Sequence, residues 1–232
     1  QAKAASVLLE SFLFYSGFFA PIGYVAIGLF LIVFSLFFYL TTIYQRAIDL
    51  GNLYFNTARY GLLIIVPIIT MRMFAEERKN GTEQLLLTSP KTITGIVFGK
   101  FLAAVALIAI TLIISIMYYV ILCFFQAPNI TSTLVMMLGF LLLSMAAISI
   151  GMFASSITEN QVIAAIITIV FLVVPWFLPN LSESFSIIDL MSSYQKFPAG
   201  LISIQEVVNL ISFAVVFILI TIIIMQRRKS VK

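Results

Sequence analysis

The sequence predicts an all-α, polytopic membrane protein built as a single transmembrane domain over residues 1–232, and three observations carry that prediction. First, 62% of the 232 residues are hydrophobic and 9% are charged, with a mean hydropathy of +1.16; a soluble globular domain carries about 25% charged residues. Second, the apolar residues fall into six runs, to be set against the ~20 residues that a hydrocarbon core ~30 Å thick demands of a helix. Third, eight charged residues gather in one polar island, MRMFAEERKNGTEQLLLTSPKTITGIVFGK at 71–100.

Residues 1–20, QAKAASVLLESFLFYSGFFA, carry only Lys3 and Glu10 and are amphipathic rather than fully apolar. They read as a helix lying in the membrane interface and leading into the first span; a start at Gln1 rather than methionine reads as processed or trimmed. The six spans follow at 21–44, 60–73, 93–125, 134–155, 161–178 and 206–225. The second is short for a crossing, and the third is long enough to tilt. In the fourth, Ala147, Gly151 and Ser155 recur at i, i+4 and i+8, and in the third Gly99 and Ala103 stand at i and i+4; small residues at this spacing let helices approach closely. The fifth ends in VVPWFLP, where Pro175 removes a backbone donor and is expected to kink the helix, with Trp176 at interfacial depth. Residues 45–59 read as a polar loop. Residues 179–205 alternate apolar pairs with Ser, Asp and Gly, too apolar for a free loop and too broken for a span. They read as an external re-entrant segment of one or two short helices, tolerated only where protein or water covers the backbone.

Several chemistries are disfavoured. With no histidine and one cysteine, Cys123, neither a disulfide framework nor an ordinary zinc or haem site is available. The net charge of +4 follows topology rather than a nucleic-acid-binding face. Ion-coupled transporters carry intramembrane carboxylates or histidines, and no carboxylate sits in the middle of any of the six runs, which implies an energy source outside the chain. That source is not internal either, since no GxxxxGK[ST] phosphate loop occurs. An intramembrane enzyme is disfavoured because paired carboxylates and a Ser/Lys dyad are missing from the spans. Basic residues then orient the chain: Arg72, Arg78, Lys79, Lys91 and Lys100 flank the island and Arg227, Arg228, Lys229 and Lys232 form the tail, against Arg46, Arg59 and Lys196 elsewhere. By the positive-inside rule, both termini and the island are expected in the cytoplasm.

The island itself has a legible design. The stretch combines Phe74, Leu85, Leu86 and Leu87 with Glu76, Glu77, Arg78, Lys79 and Glu83, so a short helix along the membrane surface can bury one side and show charge on the other. Gly81 supplies a left-handed break, Thr82 is placed to cap the next piece with Glu83 in its first turn, and Pro90 stops it. The segment 71–92 is thus expected to form a rigid bracket; an ordinary solvated loop of positive-inside charge is the plainer alternative.

The pattern M-R-x-F-A-E-E-R-x-x-G-T-x-x-L-L-L-T-x-P, followed by Gly99-Lys100, resembles the second-span and coupling-helix signature of ABC type-2 exporter permeases, most of all the gliding-motility and copper-enzyme-maturation subgroup. PIGYV at 21–25, TENQ at 158–161 and FPAGLISIQEVV from Phe197 agree in order, and the likeness spans roughly 20–229. One departure is SVLLESFLFYSGFFA, where these permeases tend to carry a basic-acidic elbow. The resemblance implies a permease subunit in a bacterial plasma membrane that pairs with a second copy or a paralogue and docks on a separate cytoplasmic ABC ATPase. That ATPase would bind ATP and Mg; this chain would hold no cofactor or metal. It implies ATPase-coupling residues Phe74, Ala75, Glu76, Glu77, Arg78, Gly81, Thr82, Glu83 and Leu86, with Glu76 and Glu77 touching the ATPase, Phe74 and Leu86 anchoring the bracket, and Gly81 permitting its bend. Thr158, Glu159 and Asn160 would make a second cytoplasmic contact. The expected cargo is hydrophobic or amphipathic and moves outward. An alternative is an ATPase-driven mechanical or signalling relay acting on a cell-envelope partner, with nothing transported.

Overall fold

A computed structural model describes residues 21–44, 50–83, 92–125, 128–177 and 189–231, and the described residues are helical with short turns. Helix α1 (Pro21–Phe38) loosens into a π-helical turn at Tyr39–Tyr44. Helix α2 (Leu50–Asn56) passes through a second π turn, Thr57–Gly61, into α3 (Leu62–Thr70), and a tight turn leads to α4 (Ala75–Lys79). The long helices α5 (Ile93–Cys123) and α6 (Ile130–Ile157) come next. Helix α7 (Gln161–Val173) closes in a 3-10 turn at Val174–Trp176, and α8 (Leu190–Tyr194) precedes α9 (Ile204–Val231).

Five helical runs are long and apolar enough to cross a membrane, and Gln161–Trp176 is a shorter apolar helix. The expectation of six membrane-length spans holds for five; the expected span at 161–178 is the shorter helix, whose sixteen residues reach about 24 Å at 1.5 Å per residue, short of a ~30 Å core. Pro175 sits in the first positions of the 3-10 turn, so here it marks the end of the helix rather than a kink within it. A second correction concerns residues 50–59. They are not loop but helix, joined to α3 through the π turn in one run, Leu50–Lys79. Arg59 therefore lies within a membrane-length helix, and Lys100, read as a flanking charge, lies buried eight positions into α5. The proposed interfacial helix at 1–20 and the first half of the proposed re-entrant segment lie outside the described residues.

Helix α6 is the axis of the bundle. It packs most extensively on α9 and also on α7, α5 and α3. The small-residue stripe explains how: a Cβ added at Gly151 would meet Thr70 Oγ1 at 2.2 Å, so α3 and α6 touch where only a glycine fits. In lipid there is little hydrophobic drive between helices, and such close van der Waals contact takes its place. Beside it, Phe30 and Phe34 of α1, Tyr54 of α2, Tyr118 of α5 and Phe140 of α6 form an aromatic core with ring centroids 5.0 to 6.3 Å apart. The opposite faces are apolar and exposed at helical spacing, as at Ile32 and Leu36, Ile113 and Met117, and Val215, Leu219 and Ile223, as lipid-facing surfaces require.

At one end of the bundle, α8 and the following turn pack into protein. Asp189 caps α8 by accepting from Met191 N at 2.9 Å, and burial pushes its carboxyl above the usual carboxylate range. Tyr194 and Phe197 are fully buried, and the turn needs Gly200 at φ +77°. Phe197 seats directly on Gly139 of α6, where an added Cβ would fall 2.3 Å from its ring. Gly139→Ala is accordingly expected to destabilise the protein by about 1–3 kcal/mol through overpacking. Phe197→Ala in the same chain should remove most of that difference, read as the change between single and double mutants in thermal unfolding; strictly additive effects would refute the contact.

Candidate functional site

The opposite end of the bundle carries the polar island, and its local structure begins with a missing cap. The backbone turns out of α3 at Met71, and α4 starts after Phe74, whose own side chain makes no capping bond. The first amides of a helix need acceptors. Here α6 supplies one: Phe74 N and Ala75 N both donate to Ser155 Oγ, each at 3.1 Å, while Ser155 Oγ donates to Met71 O at 3.3 Å. The last member of the small-residue stripe thus holds the bracket to the central helix. Phe74 and Ala75 are buried there.

Charge then ties the bracket to three further elements. Glu77 Oε2 lies 2.5 Å from Lys100 Nζ on α5; that ammonium also donates to Met73 O and stands 4.4 Å from the Phe74 ring centroid. Arg78 Nε pairs with Glu159 Oε1 at 2.8 Å, and its NH1 donates to Ile157 O at 3.0 Å, reaching the α6–α7 connection. Glu83 is buried between Arg78, at 3.9 Å, and Arg228 of α9, at 3.2 Å. Arg228 in turn donates to Ser156 O at 2.5 Å. Three carboxylates, Glu77, Glu83 and Glu159, face three cations, Arg78, Lys100 and Arg228. The cluster is neutral as a whole, which is what makes its partial burial tolerable: each desolvated charge has a close opposite one.

Sequence reasoning placed most of these residues and misread some roles. Residues 74–83 do form short helical structure, and Gly81 does adopt the left-handed conformation, at φ +73°. Glu77, expected to face a partner, turns inward to Lys100; Glu76 is half-buried, while Lys79, Asn80, Gly81 and Thr82 form the exposed tip. The helical piece that Thr82 is expected to cap continues outside the described residues, and Thr82 donates back to Glu77 O at 3.1 Å. That bond closes the bend on itself. Glu159 joins the bracket through Arg78, while Thr158 and Asn160 shape the connection: Asn160 N donates to Thr158 Oγ1, and Asn160 Oδ1 accepts from Val162 N to cap α7. Pro175 stands apart, on α7's far end, and Leu86 lies outside the described residues. Ser155, Lys100 and Arg228 were not singled out as site residues. The stripe spacing was the available signal for Ser155, and the Gly99-Lys100 pair in the family-like pattern was the signal for Lys100; for Arg228 there was its place in the basic tail.

A sequence model of the family described as ABC-2 family transporter protein matches residues 61–228. The chain belongs to that family. The match begins at the end of the π turn and ends at Arg228, so it contains every member of the ion-pair cluster. As an ABC-2 protein the chain is a permease component of an ABC transporter, a multi-pass membrane subunit that is not itself the ATPase. ABC-2 permeases typically work with an ABC ATPase subunit. A comparison with curated proteins gave no match.

Proposed function

We propose that this permease exports a hydrophobic or amphipathic substrate, and that residues 74–83 are the element through which a separate ATPase drives it. The observation that supports this most is mechanical. The tip Lys79–Asn80–Gly81–Thr82 is exposed while the base of the same bracket is fixed to α5, α6, the α6–α7 connection and α9. A displacement applied at the tip is therefore delivered to four points of the bundle at once. A stiff bracket of this kind transmits force; a solvated loop dissipates it.

In this reading the island and both chain ends face the cytoplasm, by the positive-inside rule. ATP and Mg are bound wholly by the partner, and two permease copies, or this chain with a paralogue, flank the substrate path. Closure of the ATPase on ATP pushes the tip, and the charge cluster carries the movement into α9 and α5, changing how they pack on α6. Glu77 acts as an internal strut to Lys100, so contact with the ATPase falls to Glu76, Lys79 and the loop at Gly81.

The test follows from that division. Exchanging the exposed charges, Glu76→Lys with Lys79→Glu, leaves the Glu77–Lys100 pair and the fold in place. It is expected to weaken co-purification of the ATPase and ATP turnover in the assembled transporter by about tenfold, equivalent to ~1.4 kcal/mol. Wild-type recovery of the complex together with wild-type turnover would sink the assignment.

A further inference from the structure

The bundle holds a second concentration of unusual chemistry, far from the charge cluster and unused by it. Arg59 sits in the π turn between α2 and α3, and such turns are frequent at functional sites. Its guanidinium lies over two aromatic rings, with Cζ 5.1 Å from the Trp176 ring centroid and 5.7 Å from that of Tyr60. The Nε atom is buried and has no hydrogen-bond partner among the described residues. A small cavity of about 30 Å³ opens beside it, walled by Leu62, Leu63, Leu143 and Leu172 together with Trp176.

A guanidinium within a membrane-length helix is costly to place and usually marks a site, with a partner to be named. One described candidate is Asp189. Its carboxylate feels the Arg59 charge, yet it is committed to capping α8 through Met191 N and Ser192. It forms no ion pair with Arg59 among the described residues, so the buried Nε of the planar guanidinium is left for another acceptor. Next to Arg59 along the helix, Tyr60 and Ile64 are exposed at i+1 and i+5, an apolar strip facing lipid. The cavity takes a headgroup atom or two, not a whole molecule; a chain has the strip to lie on.

We infer that Arg59 and Trp176 form a recognition site for an anionic amphiphile, with its phosphate or carboxylate on the guanidinium and its alkyl chain along the lipid-facing strip. This deepens the export reading by naming a substrate class, and rests on that reading only for the claim that the amphiphile is cargo. Binding is measurable without ATP or an ATPase, so a failure here leaves the coupling assignment, with its own charge-exchange test, untouched.

Trp176 is the one tryptophan of the chain, so fluorescence of the purified full chain in dodecyl maltoside, excited selectively at tryptophan, reports this site. Titration with dodecyl phosphate is expected to shift the emission saturably. Dodecylphosphocholine, with the same chain and no net charge, and inorganic phosphate, with the charge and no chain, should each need at least about tenfold more, a ratio of ~1.4 kcal/mol. Arg59→Gln should raise the dodecyl phosphate midpoint by a similar factor, with Arg59→Lys in between. Asp189→Asn keeps a capping side chain and removes the one competing negative charge named above; it should lower the midpoint severalfold, a gain that misfolding cannot imitate. The inference is overturned if the emission change does not saturate, or if neither Arg59→Gln nor Asp189→Asn moves the midpoint. It is overturned equally if inorganic phosphate matches dodecyl phosphate, which would assign the site to a free anion.

Discussion

Lys100→Met will destabilise the purified permease by about 3 kcal/mol, because removing one partner of a buried ion pair leaves the other charge without compensation. Lys100 is 5% exposed, and it serves three acceptors at once: the Glu77 carboxylate, the Met73 carbonyl and the Phe74 ring face. Glu77 is 24% exposed, so solvent softens its isolation, which places the effect at the low end of the usual ~3–5 kcal/mol range. Glu77→Gln alone should cost comparably, since the ammonium is the more deeply buried partner. The double mutant should recover much of the loss, as neither charge then remains; that coupling, read from denaturant unfolding in detergent, isolates the pair from general disruption. A single mutant within about 0.5 kcal/mol of wild type, the size of an ordinary surface substitution, would show that the pair is solvated.

The second large effect lies at the α3–α6 contact. An alanine at position 151 gains up to about 1 kcal/mol of helix propensity over glycine, yet its Cβ would stand 2.2, 2.7 and 2.8 Å from three atoms of Thr70. Thr70 cannot simply swing away, because its hydroxyl donates to Val66 O at 2.9 Å and its own Cβ is one of the three atoms. Overpacking of this kind costs about 1–3 kcal/mol, so Gly151→Ala is expected to be net destabilising, and Gly151→Leu more so. Gly28→Ala provides the control within the same protein: nothing lies within 4 Å of the added Cβ, so only the propensity gain remains and the variant should be neutral or slightly stabilised. If Gly151→Ala raised the unfolding midpoint as Gly28→Ala does, the two helices would not be in the contact described.

These two sites differ in how visible they were beforehand. The stripe Ala147, Gly151, Ser155 declared itself by spacing, because small residues at i, i+4 and i+8 have few uses in a membrane helix other than close packing. Its partner did not, since nothing in the chain links Thr70 or Phe74 to positions some eighty residues away. Glu77 and Lys100 were both conspicuous charges, and charge alone gave their side of the membrane correctly grouped. Whether Glu77 looked outward to a partner or inward to Lys100 depended on which face of α4 the turn at Met71–Phe74 presented. That is set by Ser155 on another helix. Arg59 was misplaced for a related reason: Gly51, Asn52 and Asn56 read as loop residues, and only packing of Leu53 and Tyr54 into the aromatic core carries helix through them.

The sequence by itself determined that this is an all-helical, multi-pass membrane protein, where most of its spans run, and which thirty residues carry its polar business. Hydrophobicity and length fix those, and both are local properties read directly along the chain. Only the tertiary structure decided which charges pair, which glycines are contacts, and that Arg59 stands over the Trp176 and Tyr60 rings. Those outcomes rest on distances between residues far apart in the chain, and one-dimensional periodicity carries no information about such distances.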